Sequence, residues 1–338
     1  VSSLTVGTSG SSDPESRETD DDPAPPGDHG GRQSLRDRLN HWDVRYSPYL
    51  YIAPFFIIFA IVGLFPLLYT SYVSLFDWSL VADEPVFIGL DNYVELMGDA
   101  RFWQAMVNTL SIFILSTAPQ LVMALLFAVL LDAHLRARTT FRVALLLPYV
   151  ASLVALGIIF GNLFNQEYGL INGVLGLVGI DPIDWHANRF LSHVAIASMV
   201  NWRWTGYNAL IILAAMQAIP RDLYEAATVD GAGRWRRFIS VTLPMLRPTM
   251  IFVVITATVG GLQIFTEPKL FAEVPGSNNG GSTGQFQTVT LFMYQQGFEN
   301  FELGYASATA WILFLVIVIF ALINFWITRR ISTTEDPR

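Results

Sequence analysis

Residues 219–244 read Ile219-Pro-Arg-Asp-Leu-Tyr-Glu-Ala-Ala-Thr-Val-Asp-Gly-Ala-Gly-Arg-Trp-Arg-Arg-Phe-Ile-Ser-Val-Thr-Leu-Pro244, a charged stretch between two long apolar runs. A connection of this length that is neither low-complexity nor large enough to be a domain needs a reason to exist. Pro220 stands where a helix begins, and Asp222 and Glu225 put negative charge in its first turns, where the helix dipole is positive. Leu223, Ala226 and Ala227 then share a face by three-and-four spacing, and Gly231 after Asp230 supplies the left-handed residue that closes a helix. The spacing predicts a short helix, a sharp turn and a second, arginine-rich helix beginning near Gly233.

On either side of this elbow the chain is apolar. Six stretches, at 49–76, 103–131, 141–164, 191–217, 248–266 and 305–328, are long enough to cross the roughly 30 Å hydrocarbon core of a bilayer as helices. Pro54, Pro66, Pro119 and Pro148 fall inside them and are expected to kink rather than end them, since neighbouring membrane helices re-satisfy the freed carbonyls. With 52% hydrophobic and 14% charged residues, folding these six as soluble core helices would leave almost no polar surface. A mean hydropathy of +0.43 points the same way. The fold class is therefore an all-α integral membrane protein with six transmembrane helices.

Residues 1–31 are rich in Ser, Asp, Glu, Gly and Pro and cannot bury enough surface to offset ordering entropy, so they read as a disordered acidic tail. A basic lead-in covers 32–48, the transmembrane domain 49–330 with the charged loop at 219–245, and a short tail 331–338. Much of the net charge of -8 comes from the first tail, so it says little about the folded part. Arg32, Arg36, Arg38 and Arg45 precede the first span. Arg136, Arg138 and Arg142 lie between the second and third, Arg221, Arg234, Arg236, Arg237 and Arg247 between the fourth and fifth, and Arg329 and Arg330 follow the sixth. The alternate loops hold only Arg101, Arg189 and Lys269 beside acids such as Asp83, Glu84, Asp91, Glu167, Asp181, Glu273 and Glu299. By the positive-inside rule both termini and the elbow face the cytoplasm.

The elbow also carries a family pattern. Glu225-Ala226-Ala227, three residues, Gly231, nine residues and a branched aliphatic, then Leu243-Pro244 resembles the EAA motif of ABC importer permeases; Val241 stands where isoleucine is usual. Leu145-Leu-Leu-Pro148-Tyr149, Leu163-Phe-Asn-Gln-Glu-Tyr-Gly169-Leu-Ile-Asn172 and Gly304-Tyr-Ala-Ser-Ala308 are similar to the MalF/UgpA-type sugar-permease branch, so the resemblance covers about 45–330. It implies the type I ABC importer permease fold, with the elbow as a cytoplasmic coupling helix docked on a separate ATPase through Glu225, Ala226, Ala227, Asp230 and Gly231. The alternative for the elbow is an amphipathic helix lying on anionic lipid through Arg234, Arg236 and Arg237, which leaves the alanine pair and Gly231 unexplained. Where the branch has Thr-Gly-Gly-Pro before the last span, this chain has a Gly, Ser and Asn-rich stretch from Gly276 to Gly284, which reads as a flexible linker.

Several chemistries are missing. The chain has no cysteine, which excludes disulfides and thiolate metal sites. Lys269 is followed by Leu270 and lacks the preceding glycines of a nucleotide-binding loop; His29, His41, His134, His186 and His193 show no metal-ligand spacing; no nucleophile elbow occurs. Catalytic residues, bound cofactors, metals and nucleic acid are therefore not expected, and ATP with Mg²⁺ is assigned to the partner ATPase.

Two polar regions inside spans mark a candidate substrate path. Asn201-Trp-Arg-Trp-Thr-Gly-Tyr-Asn208 is unusually polar for a membrane helix, and Arg203 within it has to face protein or water. Helical spacing places Asn201, Trp204, Thr205 and Asn208 on one face and Arg203 and Tyr207 on another, with one of the two expected to line the path. Sugars are held by aromatic stacking beside amide and hydroxyl hydrogen bonds, which favours Asn201, Trp204 and Asn208, with Arg203 as a structural ion pair or carbonyl clamp. In the fifth span Thr256, Gly260, Gln263 and Glu267 follow one stripe with Gly261 beside it. The resemblance raises Thr256, Gly260, Gly261 and Gln263 as sugar contacts; packing by small residues is the competing reading.

The resemblance implies a permease subunit of an ATP-driven sugar importer working by alternating access. Its partners would be two ABC ATPase subunits, a second homologous permease, an extracytoplasmic sugar-binding lipoprotein and membrane lipid. The acidic tail and arginine bias resemble mycobacterial trehalose permeases, which implies a disaccharide such as trehalose. The rival class is an ion-coupled secondary transporter, for which internal repeats and intramembrane carboxylates would be expected; neither is evident apart from Glu267.

Overall fold

The computed structural model describes residues 47–79, 84–133, 138–272 and 280–333. The expected acidic tail, nearly all of the basic lead-in, residues 334–338, and Asp83, Arg136 and Glu273 lie outside the described residues. Chain contacts divide the molecule into two units at Phe65 and Pro66. The described part of the first unit, 47–65, is helical throughout, and its apolar side chains, Phe55, Phe56 and Ile58 among them, are exposed. This helix, α1 (Ser47–Val73), takes a π-helical turn at Ala60–Leu64.

In the second unit a short antiparallel pair, β1 (Phe76–Asp77) and β2 (Val86–Phe87), joins the end of α1 to the rest, and helices follow: α2 (Asp91–Gly98), α3 (Ala100–Asp132), α4 (Arg138–Val150), α5 (Leu153–Leu163), α6 (Leu170–Leu177), α7 (Arg189–Gln217) and α8 (Arg221–Val229). The chain closes with α9 (Arg234–Leu262), α10 (Thr266–Ala272), α11 (Val289–Tyr294) and α12 (Leu303–Thr333). Among the described residues α1, α3, α9 and α12 are unbroken helices long and apolar enough to cross a membrane.

The third and fourth expected spans differ from the simple reading. Residues 141–164 are not one kinked helix: α4 passes through Pro148 and stops at Val150, and α5 leaves it at 93°. Proline is not where the chain turns. The two halves are claimed by different partners, α4 packing along α7 and α5 against α10. Gly206 of α7 makes the first contact feasible, because a Cβ there would lie 1.8 Å from the Leu145 carbonyl oxygen. The fourth span, α7, is long enough at 29 residues, but its polar run leaves it less apolar than the others. It buries that polarity among neighbours, which is where backbone and side-chain polar groups in a bilayer must find partners.

α3 and α7 form the most extensive helix pair. Ala124, Ala128 and Leu131 of α3 pack there with Ala209, Ile212 and Leu213 of α7 and with Leu246 and Val253 of α9. Small residues on both sides let the backbones approach, the usual source of helix association where no hydrophobic driving force operates. A second core, around Ile196, Met199, Phe160 and Phe271, joins α7 to α5 and α10; a third, around Phe102, Leu262, Phe292 and Leu313, joins α3, α9, α11 and α12.

Candidate functional site

α3, α4, α7, α9 and α10 line an open cavity of about 500 Å³. From α7 it receives Val200, Arg203, Trp204, Tyr207, Asn208 and Ile211; α9 contributes Thr256, Gly260 and Gly261; the segment after α9 contributes Gln263, Thr266 and Glu267; α3 and α4 contribute Thr117, Gln120 and Tyr149. The α7 residues lie at successive spacings of three, one, three, one and three, which at about 100° per residue is a single arc of roughly 140°. Arg203 and Tyr207 therefore share the wall with Trp204 and Asn208, contrary to the two-face division. Asn201 falls just past the edge of this arc and Thr205 further round. Neither lines the cavity; the Asn201 carboxamide oxygen is buried without a hydrogen-bond partner, and the Thr205 hydroxyl donates to the Asn201 carbonyl at 2.6 Å.

Trp204 stands in a frame of rings and charge. Tyr149 meets it edge-on with centroids 5.2 Å apart, Tyr207 at 5.9 Å, and these two tyrosines stack on each other at 4.7 Å. The Arg203 guanidinium carbon lies 5.3 Å from the Trp204 ring centroid, within cation–π range. Arg203 Nη1 donates to Glu267 Oε1 at 3.2 Å, the ion pair expected of it. Its carboxylate comes from α10, a separate helix: α9 ends at Leu262, so the stripe Thr256, Gly260, Gln263 and Glu267 is not one helical face. The chain break nevertheless returns Gln263 and Glu267 to the same cavity. The two glycines separate cleanly. A Cβ at Gly260 would meet nothing within 4 Å, whereas one at Gly261 would lie 2.6 Å from Phe113 Cδ2. Gly261 is a packing position at the cavity edge, and Gly260 opens the cavity itself.

Arg203, Tyr207, Tyr149, Gln120 and Glu267 are polar or charged wall residues outside the path expected from the sequence, as are Thr117 and Thr266. The α7 spacing carried the signal for the first two. Tyr149 sat in a recognised motif with no role attached, and Gln120 is polar in a long apolar helix.

At the far end of α7 the elbow has the expected form. α8 starts after Pro220 and ends at Val229; Gly231 has φ +76, and Ala232 N–H donates to the Ala227 carbonyl at 2.9 Å while Gly231 N–H donates to Thr228 at 3.0 Å. This is a glycine-closed helix end of the kind that satisfies the last carbonyls. The second helix begins at Arg234 but is not separate: it runs through a π-helical turn at Phe238–Thr242 into the fifth span as the single helix α9. Tyr224 OH and Thr242 Oγ1 are 2.9 Å apart, and Arg237 Nη1 donates to Thr228 Oγ1 at 2.8 Å, so the elbow is tied to α9 by its own side chains. Glu225, Ala226, Asp230 and Gly231 are exposed and Ala227 is half-buried.

The described part of the glycine-rich stretch, from Gly280, is not a flexible linker. Gly280, Gly281 and Gly284 take positive φ, and the turn they shape is bonded to the helices below it. Asn108 Nδ2 donates to the carbonyls of Gly284 and Gln287 at 2.8 and 2.9 Å, Arg189 Nε donates to Asn108 Oδ1, and Gln285 Nε2 donates to the His186 carbonyl. Composition alone misses this, because glycine serves tight turns as readily as loose ones.

Apolar helices gathered round a polar cavity, with an exposed and internally braced elbow at one end, make the protein a membrane permease component. The chain belongs to the family described as binding-protein-dependent transport system inner membrane component, whose model matches residues 96–333. It is 35% identical over 303 residues to the lactose transport system permease protein LacF of Rhizobium radiobacter, covering 88% of this chain and 98% of that one. It is 29% identical over 297 residues to the trehalose/maltose transport system permease protein MalF of Thermococcus litoralis, again covering 88% and 98%. A permease chain in the crystal structure of a bacterial ABC transporter that imports the acidic polysaccharide alginate has the same fold, with a TM-score of 0.73 at 23% identity over 87% of this chain and 99% of that one. The protein is thus a non-catalytic sugar permease subunit of an ABC importer with the type I permease fold, and the ion-coupled alternative falls away.

Proposed function

We propose that this subunit passes a disaccharide such as trehalose into the cell by alternating access, driven by ATP and Mg²⁺ bound on partner ATPase subunits. A second homologous permease completes the pathway, and an extracytoplasmic sugar-binding lipoprotein delivers the cargo. The observation that carries the reading is the cavity: its aromatic wall at Trp204, flanked by Asn208, Gln263 and Thr256, offers the stacking surface and the amide and hydroxyl partners that a sugar ring requires, in a volume of about 500 Å³. Asn201, expected on this path, has no place on the cavity wall; Gly260 serves as an opening and Gly261 as its support.

Glu225, Ala226, Ala227, Asp230 and Gly231 are assigned to the ATPase contact, with both chain termini on the same, cytoplasmic side. Supporting this, the exposed face of α8 is braced from behind by Tyr224 and Arg237, so a push on it is delivered to α9 and from there to Thr256 and Gly260. The test is reconstitution of the chain with its ATPase, sister permease and binding protein in liposomes. Radiolabelled trehalose should accumulate only with ATP, and the chain alone should move none under a proton or sodium gradient. Accumulation by the lone chain under either gradient overturns the proposal.

A further inference from the structure

Arg203 and Glu267 are the only charged side chains on the cavity wall among the described residues, and they are paired with each other. The pair is unlike a surface ion pair. Its side chains are 17% and 8% exposed, and Arg203 Nε is buried with no hydrogen-bond partner. The two partners come from elements that have no local reason to meet, α7 and the short α10 beyond the end of α9. Arg203 also presses on the Trp204 ring.

We infer that Glu267 is a charge-selectivity residue: by neutralising Arg203 at the wall beside Trp204, it sets the cavity for uncharged sugars and against acidic ones. This deepens the proposed function and rests on that cavity being the sugar path. The physical reason is that an unpaired guanidinium in a low-dielectric cavity attracts any carboxylate that enters, whereas a paired one offers no net charge and a competing carboxylate has to displace Glu267. Removing the acid while keeping the base makes the wall cationic, and removing the base while keeping the acid makes it anionic. A pair that served only to hold α10 against α7 would weaken the complex in both cases without favouring one sugar charge over another.

The experiment uses the detergent-purified importer complex with the binding protein omitted, so that the selectivity of that protein does not enter. Equilibrium dialysis compares radiolabelled trehalose with the same disaccharide carrying one C6 carboxylate. In the unmodified complex the neutral sugar should bind the more tightly. Glu267→Gln should shift the ratio of affinities by about tenfold toward the carboxylate, Arg203→Gln should shift it the other way, and the double variant should return it close to the starting value. Opposite signs in the two single variants are a result that loss of packing does not produce, and the double variant supplies the comparison if one single variant assembles poorly. An unchanged ratio in Glu267→Gln or Arg203→Gln, with trehalose still bound, overturns the inference alone. Failure of the unmodified complex to bind either sugar overturns the sugar path and the inference with it.

Discussion

α8 at the elbow has no fully buried residue, whereas α7, which leads into it through residues 218–220, has fourteen among its 29. The elbow keeps its shape by bonds made within about twenty residues of chain: the glycine-closed turn, Tyr224 to Thr242, and Arg237 to Thr228. The cavity is held by groups far apart in sequence, Tyr149 and Glu267 meeting Trp204 and Arg203 from two other helices. The first is a self-supporting surface offered to something outside the chain, and the second exists only when the bundle is assembled. Force and selectivity are therefore expected to separate on mutation.

The largest break in that comparison should come at the elbow. Glu225→Arg reverses the charge on the exposed face of α8 while touching no internal bond among the described contacts. It should abolish ATP-driven uptake and ATPase capture while leaving trehalose binding in the cavity unchanged. Because the chain contains no cysteine, Ala226→Cys provides a unique thiol, and its crosslink to the ATPase in the assembled importer reads the contact directly. Loss of sugar binding in Glu225→Arg would show that the two regions are not independent.

The next effect belongs to the cavity. Trp204→Ala removes the ring framed by Tyr149, Tyr207 and Arg203, and by the usual weight of a buried aromatic anchor, about 2 kcal/mol, trehalose affinity should fall roughly thirtyfold. Capture of the ATPase by Ala226→Cys should be unaffected. An affinity within twofold of the original would remove Trp204 from the sugar path.

How well each region could be read in advance follows from the same contrast. α8, the turn at Gly231 and the helix start after Gly233 were legible because proline, acids and glycine act on their own few residues. For the cavity, the polar run in α7 was visible and its face was not. Arg203 and Trp204 are neighbouring positions on one wall rather than opposite sides, and Asn201 lies just beyond the edge of that wall. Nothing in Gln263-Ile264-Phe265 forbids a continuous helix through Glu267; the break shows itself only once α10 packs on α5. The bend between α4 and α5 was hidden for the same cause, while Pro148, the local signal, sits inside α4.

Gly260 and Gly261 sharpen the comparison within one helix at smaller cost. Gly261→Ala forces Phe113 aside and should lower the stability of the purified complex by about 1–3 kcal/mol, seen as a lower melting temperature. Gly260→Ala meets no atom and should melt as before, with only its sugar affinity changed. Equal destabilisation by both would mean that Gly260 too is a packing residue.

The smallest effect lies away from both regions, where Asp99 caps α3. It accepts the Arg101 backbone N–H at 2.8 Å, its other oxygen accepts the Tyr305 hydroxyl at 3.1 Å, and Arg101 Nη2 approaches it at 3.2 Å. Burial alone would raise the carboxyl, but the bonds and charge of Arg101 together with the Tyr305 hydroxyl outweigh it, and Asp99 titrates below its ordinary 3.8. Since the folded value is the lower one, the stability that ionised Asp99 contributes is fully present above pH 3.8 and is lost as the pH falls through the folded value. Asp99→Ala should cost about 1 kcal/mol at neutral pH, the usual worth of such a cap, and should lose that share of the acid sensitivity. Melting temperatures of the two proteins followed from pH 6 to pH 3 should therefore converge at the acid end. Curves that stay parallel would show that Asp99 is no better solvated by its partners than by water. Uptake and ATPase capture at neutral pH should be the same in both, because neither the elbow nor the cavity leans on this cap.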